Sequence, residues 1–238
     1  MPAGKYKVFG VGQPVGEGAS NSFHVGVAAI GKKADASQPN VVINELFCST
    51  LARYLFLPCP PGILLENDGE TYFCSLNFNL AGQSLPPAPV PDVVALLPET
   101  SWGITLFDVL VMNPDRHGRN LSFNRQTNDI QIFDHSHAFL QSNRTPDHVM
   151  VNLKDQLAVG AHCIKAELNT WTGFDVWTTR IKNVPDYVVD GTFDAISRVG
   201  FPTDKKAPMS DFIKQRRDTI DELVTSNLGQ FPKLPAKP

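Results

Sequence analysis

The sequence predicts an α+β fold of two lobes: a small β-rich module through about residue 80, then a mainly helical lobe over residues 81–230. Three observations carry this. The run ETYFCSLNFNL, beginning at Glu70, alternates with Tyr72, Cys74, Leu76, Phe78 and Leu80 on one face, as a half-buried strand does. The segment AGQSLPPAPVPD (81–92) is dense in proline and aperiodic, which suits a semi-rigid connection between lobes. Beyond residue 150 helical periodicity dominates.

Taken in order, KYKVFGVG, QPVGEGASN and SFHVGVAAI predict short strands broken by glycines. PNVVINELFCSTLARYLFLP predicts a helix with Asn40 as N-cap, Val42, Leu46, Leu51 and Leu55 near helical spacing, and Pro58 as its stop. GILLE and the alternating run flank a turn at Asn67, Asp68 and Gly69. GITLFDVLVM (103–112) predicts a buried helix that runs into the polar loop NPDRHGRN. Residues 120–123 and 130–133 predict a hairpin around RQTND. In DFIKQRRDTIDELVTSNLG (211–229), Phe212, Ile213, Arg216, Ile220, Leu223 and Val224 recur at helical spacing, and Gly229 ends the helix. Lys214, Arg216 and Arg217 are expected to form its solvated face, and residues 231–238 a disordered tail.

Composition narrows the function classes. Of 238 residues 42% are hydrophobic and 19% charged, which fits a globular chain and excludes disorder as its main state. A net charge of −3 gives no global field toward nucleic acid or anionic membrane, so neither direct nucleic-acid binding nor a membrane is expected. Cys48, Cys59, Cys74 and Cys163 form no C-x-x-C pair and are expected as free thiols in a reducing, cytoplasmic compartment. The first residues lack the apolar core of a secretion signal.

The chemistry lies in two polar stretches, VMNPDRHGRNLSF (111–123) and IQIFDHSHAFL (130–140). A tight hairpin between them would return Asp134 beside Asn120, with Asp115 at the start of the loop. An amide oxygen and a carboxylate converging there suit Mg²⁺, which keeps waters and is completed by substrate phosphates. The offset carboxylate, Asp115, is placed to orient or deprotonate a hydroxyl. That is the division of labour in phosphoryl transfer. Against it stand an ordinary surface turn and a metallohydrolase centre built on His135 and His137, since an H-x-H pair on a strand points both imidazoles to one side.

DRHGRN followed by FDH resembles the catalytic and metal-binding loops of HipA-like kinases and of the phosphatidylinositol 3/4-kinase-like superfamily. VGEGASNSF is similar to the phosphate loop of compact HipA-like kinases, NELFCSTLARYLFLPCPP to their early helix, and FIKQRRDTIDEL to their closing helix. The resemblance runs in order through about residues 10–230, and DRH-x-x-N with its following Asp is its most specific part. It implies a bilobal protein-kinase-like fold and an ATP- and Mg²⁺-dependent kinase acting on a hydroxyl, with protein Ser or Thr as first choice. A lipid or small-molecule kinase and a non-catalytic nucleotide-binding module are the alternatives.

Residue by residue, the resemblance makes Asp115 the catalytic base or the group that orients the nucleophile, and Asn120 and Asp134 the magnesium ligands. His117 would brace the catalytic loop. Residues 16–22, with Gly16, Gly18, Ser20 and Ser22, would cover the phosphates, and the backbone at 76–78, from Leu76 to Phe78, would meet adenine. Glu45 would pair with a strand lysine that holds the phosphates. The strand SFHVGVAAIGKK offers Lys32 and Lys33 for that role, Lys33 the more readily.

Overall fold

The computed structural model describes residues 8–16, 20, 22–78, 87–141 and 144–237. Gly18, part of residues 81–92, and Asn79 and Leu80 at the end of the alternating run lie outside them. Strands β1 (Val8–Pro14) and β2 (Phe23–Val27) form an antiparallel ribbon around the glycine-rich segment. Gly16 holds φ +77° at its turn, where a Cβ would be strained, and Val15 N–H donates to Ser22 O at 2.8 Å. Strand β3 (Ala29–Lys33) then pairs with β5 (Glu70–Leu76), which also pairs with β4 (Gly62–Asn67), giving the order β3-β5-β4. The predicted turn joins β4 to β5 with Asp68 and Gly69 both at positive φ, the backbone a two-residue hairpin requires.

Helix α1 (Val41–Tyr54) crosses this sheet. It starts where predicted, but Asn40 makes no cap bond; its Nδ2 donates to Leu140 O across the molecule. Phe73 of β5 is buried against Val41 and Val42 of α1, so the clean alternation expected of that strand gives way to adjacent buried residues, Phe73 and Cys74. The strand ends at Leu76.

The second part is mainly helical. Short helix α2 (Val90–Leu96) begins inside the segment read as a connection, and α3 (Pro98–Leu110) is buried along most of its length. A hairpin of β6 (Leu121–Asn124) and β7 (Asp129–Ile132) follows in the predicted place, with Leu121 opposite Ile132 and Phe123 opposite Ile130. Helices α4 (Pro146–Asn152), α5 (Cys163–Glu167), α6 (Phe174–Lys182) and α7 (Asp186–Ser197) precede α8 (Lys206–Asp218) and α9 (Ile220–Thr225). One core runs from Phe47 of α1 through Phe107, Phe139 and Phe193, so the two parts share it. No single helix among the described residues is long and apolar enough to cross a membrane.

Three expectations are corrected. The segment 211–229 is two helices with a break at Thr219, whose φ of −108° leaves the helical range. Arg216 and Arg217 are buried rather than solvated, while Lys214 pairs with Asp190 nearer the surface. Arg216 donates from Nη1 to Leu153 O (2.6 Å) and from Nη2 to Val109 O (2.6 Å), so it ties the ends of α4 and α3 together. Arg217 donates to Val184 O and pairs with Asp186. Residues 231–237, expected as a disordered tail, lie against the helical lobe. Phe231 is buried against Trp102, Trp171 Nε1 donates to Pro235 O, and Lys237 pairs with Asp175.

Candidate active site

The site is built where β3, α1 and the end of the β6–β7 hairpin meet. Side chains alternate across a strand, so Lys32 and Lys33 leave β3 on opposite faces. Lys32 Nζ lies 2.6 Å from Glu45 Oε1 on α1 and 2.6 Å from Asp134 Oδ1. Lys33 turns outward to Glu70 at 2.7 Å, in the open. The strand lysine beside Glu45 is therefore Lys32, against the preference for Lys33.

Glu45 is buried, and its Oε1 also accepts the His135 backbone N–H at 3.0 Å. Burial pushes its pKa up, but the His135 imidazole and the Lys32 ammonium outweigh that and hold it below the usual carboxylate range. Asp134 follows β7 in the left-handed region, at φ 59°, which swings its side chain back toward Lys32. Its Oδ1 also accepts from Ser136 Oγ at 2.7 Å. Against the upward push of burial, Lys32 and Ser136 hold its pKa at about 2. One ammonium between two ionised carboxylates leaves the trio with a net charge of −1, a field that favours a cation.

Across the hairpin, Asn120 is buried, and its Nδ2 donates to Asp115 O at 2.9 Å. With the amide nitrogen engaged, Oδ1 is the atom left to serve as a donor to metal. Phe133 N–H donates to Asn120 O at 3.2 Å, so the residue before Asp134 is bonded directly to Asn120. The Asn120 amide oxygen and the Asp134 carboxylate are hard oxygen donors, and they fit Mg²⁺. Asp115 is part-exposed, its N–H tied to Asn113 Oδ1 at 3.2 Å, which leaves its carboxylate toward solvent.

His117 holds this loop only locally, by capping its Gly118–Asn120 turn. It is half exposed, its Nδ1 accepts the Arg119 N–H, and its Nε2 stands 3.9 Å from Asp115 Oδ2. The ties from the loop to other segments come from Arg116, one residue earlier and fully buried. Its Nε and Nη2 form a fork on Asp108 of α3, at 2.8 and 3.0 Å. Its Nη1 donates to Asn120 O (3.1 Å) and to Phe133 O (2.9 Å). Asp108 also accepts from Asn113 Nδ2 and from His162 Nε2, both at 2.9 Å. Burial opposes its charge, yet the Arg116 guanidinium holds its pKa far below the ordinary value. Sequence reasoning missed Asp108 and His162. The signal for the first was present: a carboxylate inside an apolar helical run must have a partner.

The remaining candidates divide. Leu76 and Phe78 are part-buried at the end of β5; Leu76 N–H donates to Pro61 O and Asn77 N–H to Ala28 O, and the Phe78 ring meets Phe133 at 5.3 Å. Ser20 and Ser22 sit exposed beside Gly16, with Ser22 Oγ 3.5 Å from Ser20 O. His135 is buried against Phe107. Among the described residues no group of three His, Cys, Asp or Glu side chains is placed to hold a metal ion, so His135 and His137 find no third partner there.

No family model and no curated protein matches the sequence. Solved structures that match this chain include the following two. The Helicobacter pylori proinflammatory kinase CtkA aligns over 92% of this chain and 96% of its own, at 14% identity and a TM-score of 0.54. HipA of Shewanella oneidensis MR-1, solved with HipB and operator DNA, aligns over 94% of this chain and 66% of its own, at 14% identity and a TM-score of 0.44. The likeness to CtkA shows the fold: this chain has the two-part, kinase-like architecture that the motifs imply.

Proposed function

We propose that the chain is an ATP- and Mg²⁺-dependent kinase that transfers the γ-phosphoryl group to a hydroxyl, most readily that of Ser or Thr in a protein. The observation that carries this reading is Lys32 held at 2.6 Å from both Glu45 and Asp134, with Asn120 bonded to the residue before Asp134. A site for a polyphosphate uses one fixed cation and a carboxylate for the metal, and these are the groups brought together here.

In this reading Lys32, oriented by Glu45, donates to the nucleotide's phosphates. The Gly16 turn, with Ser20 and Ser22, lies over them, and the backbone at 76–78 faces adenine. Asn120 Oδ1 and the Asp134 carboxylate would hold Mg²⁺, which would supply charge neutralisation at the phosphates. The acceptor hydroxyl sits against Asp115, which takes its proton as the new phosphorus–oxygen bond forms and ADP leaves. Most of the rate comes from positioning and electrostatics.

The test is transfer of labelled γ-phosphate to a mixture of Ser- and Thr-containing proteins, followed by phosphoamino-acid analysis. Asp115→Asn should lower turnover about a hundredfold or more while leaving nucleotide affinity intact. Label on inositol lipid or a small polyol but not on protein would move the assignment to another kinase class. No transfer to any hydroxyl, with nucleotide binding intact, would support the non-catalytic module.

A further inference from the structure

His162 lies at the start of α5, far along the chain from every residue given a role above, yet it is fully buried against the catalytic loop. Its Nδ1 accepts the Lys165 N–H at 3.0 Å, which places the ring proton on Nε2, and Nε2 donates to Asp108 Oδ2 at 2.9 Å. With that bond Asp108 carries four donors: two from Arg116, one from Asn113 and one from His162. The carboxylate cannot rotate, so the Arg116 fork on it has one orientation. The free end of the same guanidinium spans the carbonyls of Asn120 and Phe133. The next residue, Cys163, donates its N–H to Arg116 O at 2.8 Å, so two consecutive residues of one segment hold Arg116 by its backbone and, through Asp108, by its side chain.

We propose that His162 is a positioning residue for phosphoryl transfer, setting through Asp108 and Arg116 the separation between the Asn120 and Asp134 metal ligands. The proposal rests on the kinase reading. Arg116 grips the carbonyl of Asn120 itself and that of Phe133, the residue before Asp134. A small rotation of its fork therefore changes the gap between the two ligands directly. Mg²⁺ is the ion most sensitive to such a change, because it demands near-ideal octahedral geometry. Outer partners of metal ligands commonly act on affinity in this way.

The experiment is a Mg²⁺ titration of nucleotide binding and of phosphotransfer, each protein held well below its melting temperature. The proteins are the wild type, His162→Ala, His162→Leu and His162→Gln. His162→Ala should raise the half-saturating Mg²⁺ about tenfold, with metal-free nucleotide binding unchanged. His162→Gln, which keeps an N–H donor within reach of Asp108, should recover most of that loss. His162→Leu fills the space without donating and carries the same test if the alanine variant does not fold. A lowered melting point with the wild-type Mg²⁺ dependence would overturn the proposal and reduce His162 to a core residue. No Mg²⁺-dependent nucleotide binding in the wild type would instead overturn the kinase reading, and this proposal with it.

Discussion

Replacing Lys32 by alanine, with Lys33→Ala beside it, separates two adjacent lysines by their surroundings. Lys32 sits between Glu45, whose side chain is 5% exposed, and Asp134, whose side chain is 39% exposed. Removing one partner of a buried pair costs roughly 3–5 kcal/mol, mostly from the charge left behind. Here the Glu45 side is the more deeply desolvated, and Glu45 keeps the His135 N–H. Water screens the Asp134 side, which brings the expected cost to about 2 kcal/mol. For a domain of this size that lowers the melting point by about 4–8 °C. Turnover should fall about a hundredfold or more, the usual loss of one fixed donor at a developing charge. Lys33→Ala removes a contact in open solvent and should leave midpoint and turnover unchanged. Calorimetry and a phosphotransfer assay on the same preparations read both quantities. Lys32→Met combined with Glu45→Gln should recover most of the melting point but none of the turnover. Loss of turnover in Lys33→Ala, with Lys32→Ala active, would refute the placement of the site.

Two further predictions concern stability. Because the folded pKa of Asp134, about 2, lies below its unfolded value, the Asp134–Lys32 contact stabilises fully above the unfolded value, roughly pH 4, and is lost as the pH falls through about 2. Urea midpoints should therefore drop more steeply over that window in the wild type than in Asp134→Asn; equal slopes would contradict the pairing. At Gly103 a Cβ would lie 2.3 Å from the Trp177 ring, so Gly103→Ala should overpack the α3–α6 contact and cost about 1–3 kcal/mol, read from the denaturation midpoint. An unchanged midpoint would mean that the two helices are more loosely packed.

Much of this was legible in the sequence because the signals are local. The β6–β7 hairpin, the start of α1 and the Asp68-Gly69 turn each follow from adjacent residues. What failed depends on contacts made far along the chain. Asn40 has an N-cap's identity but spends its side chain on Leu140 O. Arg216 and Arg217 have surface residues' identities, yet both are buried because backbone carbonyls or a carboxylate from other segments accept from their guanidinium groups. Nothing near Lys32 or Lys33 in sequence decides between them, since the answer is the pairing register of β3 on β5 and the position of Glu45 on α1. The break at Thr219 likewise lies inside a run whose apolar spacing continues through it.

Thermal melting with and without millimolar ATP and Mg²⁺, on the wild type and on Asp134→Ala, tests the central claim most directly. Ligand at a hundredfold over its dissociation constant adds about 2.7 kcal/mol, which for a chain of this size is a rise of roughly 5–10 °C. The account predicts the full rise in the wild type when ATP and Mg²⁺ are present together, and its loss in a folded Asp134→Ala. A rise that Asp134→Ala retains, or no rise in either protein, would contradict it.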